Sequence, residues 1–82
     1  MDDSVRPLPV QVPSTFAVFY RDTYSSVVAL TWALSGNRWA AEDLAQEAFV
    51  RAHRDWNSVE QMDSPNAWVR RVAINLARSR FR

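Results

Sequence analysis

Apolar residues along this chain recur at helical spacing and show no sustained period of two, so the pattern predicts helices and no sheet. Phe16, Phe19, Tyr20, Tyr24, Val27, Leu30 and Leu34 form one wide apolar face. Ser14 stands where a helix N-cap belongs, and Gly36 with Asn37 are stop signals, so a first helix is expected from about Thr15 to Leu34. Val18, Ala29 and Trp32 lie on its other side, either as a second buried face, the preferred reading, or as a patch for a partner. A second helix is expected from Arg38 or Trp39 to Trp56, with Ala41, Leu44, Ala45, Ala48, Phe49, Ala52 and Trp56 as its core stripe. Acids in its first half suit the positive end of the helix dipole. Asn57 to Asp63 reads as a polar connector. Ser64 then Pro65, a capping residue followed by proline at the first helical position, starts a third helix whose stripe is Trp68, Val69, Val72, Ala73 and Leu76. The expected fold is all-α, a compact three-helix bundle over residues 14–82. Pro7, Pro9 and Pro13 mark residues 1–13 as a disordered or extended leader.

Composition narrows the function. At 82 residues there is room for one domain, and 48% apolar residues supply a core without staples. There is no cysteine and one histidine, His53, so neither a disulfide framework nor a metal site is expected, and no cofactor. His53 sits on a polar flank and reads as a solvated surface residue. A single glycine excludes a glycine-rich phosphate loop, and no other catalytic constellation is visible, so the chain is not expected to be an enzyme. No apolar run approaches the roughly 20 residues that span a bilayer, and no secretory signal opens the chain. A cytoplasmic location is the default, with no membrane partner, and the isolated domain is expected to be a monomer.

Charge changes the picture more than its total suggests. The net charge is +1, yet Arg70, Arg71, Arg78, Arg80 and Arg82 crowd the end of the chain while Glu42, Asp43, Glu47 and Asp55 occupy the middle. A basic end and an acidic segment suggest two different partners. At about 100° per residue, Arg71, Asn75, Arg78 and Arg82 fall within a narrow arc of the third helix. Arginine binds phosphate and stacks on bases, and asparagine both donates and accepts, as reading a base edge requires. The plainer alternative is solvated arginines complementing the helix C-terminus. On the second helix, Trp39, Asp43, Gln46 and Val50 lie opposite the core stripe, flanked by Glu47 and Arg54. Mixed apolar and acidic character suits docking against a basic partner helix; against it, Val50 could be a lone exposed apolar residue. The connector, with Asn57, Ser58, Val59, Glu60, Gln61 and Asp63, offers groups for an unstacked base or forms an ordinary polar turn.

These residues carry a resemblance. The segment AAEDLAQEAFVRAHRDW, Ala40 to Trp56, resembles the second-helix signature of extracytoplasmic-function (ECF) sigma factors. SPNAWVRRVAINLARSRFR, Ser64 to Arg82, resembles their promoter-reading helix, and FAVFYRDTYSSVVALTWALSGN, Phe16 to Asn37, is similar to their first helices. The resemblance covers about residues 14–82, with both central motifs in order. It implies a region 2 domain that docks on the clamp-helix coiled coil of the RNA polymerase β′ subunit, here through Asp43, Gln46, Glu47, Val50 and Arg54. It implies that the third helix and the loop before it bind the non-template single strand of the promoter −10 element. The matching positions are Asn75 for base contact, Arg71 and Arg78 for backbone or base contact, and the loop from Asn57 to Asp63 for a flipped-out base. It also implies an anti-sigma protein as a further partner.

The chain departs from the family pattern in three ways. The second domain that reads the −35 element has no counterpart in these residues, as expected of an isolated domain of a longer protein, the preferred reading, or of an unusual short protein. The loop is acidic, and the proline-containing leader has no place in the pattern. A helical protein-interaction module without DNA binding is the alternative function, and a duplex-binding regulator fits poorly with the seven-residue connector.

Overall fold

A computed structural model describes residues 14–81; the expected leader, 1–13, and Arg82 lie outside these residues. The fold is all-helical, as the periodicity predicts, with four helices among the described residues: α1 (Thr15–Ser35), α2 (Arg38–Arg54), α3 (Trp56–Val59) and α4 (Pro65–Arg80). α1 and α4 start at the caps their sequence signals, Ser14 and Ser64, and Asn37, read from the sequence as a stop signal of the first helix, also caps α2. The side chains of Ser14, Asn37 and Ser64 accept hydrogen bonds from the backbone N–H groups of Ala17, Ala40 and Ala67, each at 3.0 Å. Each bond satisfies an N–H that has no partner inside its helix. Gly36 ends α1 at φ 67°, a left-handed conformation that favours glycine, and its N–H donates to Trp32 O at 2.8 Å. The acids of α2 lie beyond its first turn, so Asn37 rather than a carboxylate caps it.

The three long helices pack on one another around Val27, Ala45, Ala48, Phe49, Ala52, Val69 and Ala73. The small side chains of α2 and α4 let the helix axes approach, and aromatic rings of α1 fill the space left over. Phe49 meets Tyr20 at 4.9 Å, Phe19 at 5.7 Å and Tyr24 at 5.9 Å between ring centroids, distances at which tilted rings attract beyond their buried area.

Four expectations need correction. The deepest line of α1 is Thr23, Val27 and Thr31, two of them threonines. Thr31 is fully buried, and its hydroxyl lies 2.8 Å from Ala41 O across the α1–α2 interface, which removes the cost of burying it. Leu34 has core phase but is 45% exposed, because it stands at the end of the bundle beside the last turn of α4. Trp32 is 47% exposed and Ala29 is exposed, so the far side of α1 is not a second buried face. Finally, α2 stops at Arg54. Asp55, at φ −106° and ψ 24°, breaks the helical phase, and one further turn, α3, follows. That break turns Trp56 onto Phe19 and Phe16, at 4.9 and 5.4 Å, and sends Val59 into the core. The polar connector is therefore anchored at both ends of α3 by apolar groups.

Candidate nucleic-acid and docking faces

The first face is on α4. Val69, Ala73 and Ala77 point into the bundle, so residues on the opposite side of the same helix must face out. Arg71, Asn75 and Arg78 are all exposed there. Together with Ala67, Arg70 and Ile74 they line one shallow, open hollow of about 480 Å³. The expected trio is thus brought together. Arg70 and Ile74 belong to the same surface and were missing from the expectation. Their signal was present, since Ala67, Arg70, Ile74 and Arg78 follow i, i+3, i+7, i+11 spacing. Among the described residues, Arg70, Arg71 and Arg78 form no ion pair. α4 contains no acid, so nothing on this helix competes for the guanidinium groups. Arg82, expected at the end of this row, lies outside the described residues.

The connector places its groups unevenly. Asn57, Ser58, Glu60 and Gln61 are exposed. Val59, expected at the nucleic-acid surface, is fully buried. It is an apolar residue in core register and serves as the anchor of α3. Glu60 Oε2 accepts a hydrogen bond from Thr15 Oγ1 at 2.9 Å, and Thr15 Oγ1 in turn accepts from Trp56 Nε1 at 2.8 Å. This relay ties the connector to the start of α1. Gln61 Nε2 donates to Asn57 O at 2.8 Å, and the residue as a whole is exposed.

The second face is on α2. Trp39 is 76% and Val50 63% exposed, the two most exposed large apolar side chains among the described residues. Asp43 lies between them, also exposed. Gln46 Nε2 donates to Tyr20 Oη at 2.8 Å, so its amide is held against α1. His53 is exposed on the same edge, its ring edge-on to Phe16 at 4.9 Å. A groove between α1 and α2 runs beneath Gln46, Val50 and His53, floored by Phe16, Tyr20 and Phe49.

The charges of α2 are paired. Arg38 faces Glu42 at 3.9 Å and Arg51 faces Glu47 at 3.1 Å, both one turn apart. Arg54 donates to both oxygens of Asp55, at 3.3 and 3.1 Å. That hydrogen bonding, with the carboxylate's charge second, raises the Arg54 guanidinium above its ordinary pKa. From α4, Arg80 reaches Asp43 at 2.7 Å and Glu47 at 3.5 Å.

Residues 19–82 match the family described as Sigma-70 region 2. The ECF RNA polymerase sigma factor SigW of Bacillus subtilis is 36% identical over 63 residues, 77% of this chain and 32% of SigW. The probable RNA polymerase sigma factor RfaY of Xanthomonas campestris pv. campestris is 38% identical over 61 residues, 71% of this chain and 14% of RfaY. The chain thus spans a third or less of the length of these relatives. No solved structure matches it. The family match takes in α2, α3 and α4 whole, with both faces described above, and the chain belongs to the sigma-70 region 2 family.

Proposed function

We propose that this domain works in transcription initiation, docking on the β′ clamp helices of RNA polymerase through α2 and holding the melted non-template strand of the −10 element through α4. The observation that carries this reading is that Arg70, Arg71 and Arg78, around Asn75 on an outer helix face, have no carboxylate partner among the described residues. Unpaired guanidinium groups in a shallow hollow suit phosphates and stacked bases, while the amide supplies one reading group.

Opening a duplex costs a few kcal/mol per unstacked step. A protein shifts that equilibrium only by binding the open form more tightly. On this reading the arginines anchor the backbone, Asn75 discriminates among bases, and the outward groups of Asn57, Ser58 and Gln61 meet an extruded base. Trp39 and Val50, with Asp43, Gln46, Glu47 and Arg54 around them, make the polymerase contact. An anti-sigma protein would act by covering the same two faces. A cytoplasmic location follows from such partners, and no helix among the described residues is long and apolar enough to cross a membrane.

A tryptophan-fluorescence titration with single strands carrying −10-like and scrambled sequences tests the DNA half. Saturable binding that weakens with salt and favours the −10-like strand is expected. No binding to either strand at low salt would leave only the protein-interaction module.

A further inference from the structure

Arg80 departs from the other arginines of α4. It follows Ala73 by seven residues and Ala77 by three, so it has the phase of the buried row and not of the hollow. At the last turn of α4 that phase points at α2. Its Nη1 donates to Asp43 Oδ2 at 2.7 Å, and its Nη2 lies 3.5 Å from Glu47 Oε1. Glu47 Oε2 accepts from Arg51 Nη2 at 3.1 Å. Glu42 and Asp55 face Arg38 and Arg54. Among the described residues, then, no acid of the α2 face is without an arginine of the same chain, and a basic partner arriving there meets acids already neutralised.

We propose that Arg80 is a positioning residue of the docking face: its guanidinium is the resident counter-ion of Asp43 and Glu47, and a basic side chain of the β′ coiled coil takes its place as the domain docks. The proposal rests on the docking reading above. The exchange centres on Asp43, because among the described residues Glu47 keeps Arg51 as a second partner while Asp43 has Arg80 alone. The contact is also accessible, with the Asp43 side chain 67% and the Arg80 side chain 39% exposed. Ion pairs this exposed contribute little and are screened by salt, so an incoming cation can displace one readily. The arrangement makes docking selective. An apolar helix that broke the contact would leave Asp43 without a counter-ion, whereas a helix with a lysine or arginine at that point restores one.

The test is the affinity of the full chain for a labelled β′ clamp-helix coiled coil, at low and high salt, with Arg80→Ala and Arg80→Lys beside the wild type. Arg80→Ala should bind about three- to fivefold tighter at low salt, the scale of one exposed ion pair, and the gain should shrink at high salt. Arg80→Lys, which restores the charge, should return to within about twofold of the wild type. A purely structural role predicts the opposite sign, since loosening α4 from α2 would weaken docking. Equal or weaker binding by a folded Arg80→Ala overturns the proposal. Should that variant lose its helical signal, Arg80→Gln, similar in length and uncharged, is read by the same criterion. If the wild type itself does not bind the coiled coil, the docking reading fails first; if it binds and Arg80→Ala binds no tighter, the exchange alone fails.

Discussion

The outer faces of α2 and α4 carry three arginines each and use them in opposite ways. Arg38, Arg51 and Arg54 on α2 each stand within 4 Å of a carboxylate one or four residues away. Arg70, Arg71 and Arg78 on α4 have no such neighbour among the described residues, because α4 contains no acid. Placing like charges side by side costs some stability through repulsion, and that cost is eased for Arg78 by the negative end of the helix. The lesson is that a residue's type does not decide its availability; the carboxylates in reach do, whether they stand one or four residues away, as for Arg38, Arg51 and Arg54, or across a helix interface, as for Arg80. A self-neutralised face that also exposes Trp39 and Val50 is suited to a shaped protein partner. A face of unpaired guanidinium groups is suited to a polyanion, with affinity that falls as salt rises.

The sharpest way to break the comparison is Asp43→Arg. It removes the acid between Trp39 and Val50 and leaves Arg80 facing a like charge. Like charges brought together at an interface cost several kcal/mol, so capture of the β′ coiled coil should drop by well over about tenfold, while single-strand binding stays level or rises slightly. Unchanged capture would mean that the docking face lies elsewhere. Asn75→Ala comes next. Loss of one base-edge hydrogen bond, about 1 kcal/mol, should shrink the preference for the −10-like strand by roughly fivefold with little change in melting temperature. Equal losses on both strands would remove Asn75 from base reading. Arg78→Ala should weaken every strand by a similar factor, about threefold. Its salt slope should flatten by about 0.7, the value for one phosphate contact on a single strand; a slope equal to the wild type's would count against phosphate contact at Arg78.

Much of this was legible in the chain. The caps at Ser14 and Ser64 and the stripes of α2 and α4 stand out because alanine, valine and phenylalanine recur at helical spacing after a capping residue. Thr23 and Thr31 escaped because a threonine counts as polar, although its methyl packs inside a helix and the Thr31 hydroxyl bonds back to Val27 O and across to Ala41 O. α3 escaped because polar residues dominate the connector and hide the spacing of Trp56 and Val59, which decides its direction. In the α4 face, spacing sufficed to group Arg71, Asn75 and Arg78. Composition alone could not separate Arg80 from them. Its phase could have, but its partners, Asp43 and Glu47, lie over 30 residues away along the chain and meet it only through helix packing.

The smallest expected effect concerns the connector, where the two faces come closest in sequence. Glu60 is an acid in a segment proposed to meet nucleic acid, and its carboxylate is held by Thr15, which also receives the indole N–H of Trp56. Two roles are open to such a group, and they differ in sign. As a base contact, Glu60 would lose affinity on neutralisation. As a structural tether, it would lose little, because Glu60→Gln keeps a carbonyl oxygen that can accept from Thr15 at the same reach. The hydrogen bond is exposed, so the change in stability should stay below about 1 kcal/mol. Removing one negative charge near the strand should raise single-strand affinity slightly, by about twofold at low salt, and less as salt screens it. A fall in affinity for the −10-like strand alone would return Glu60 to the base-contacting set and make the Thr15 hydrogen bond a feature of the free domain only.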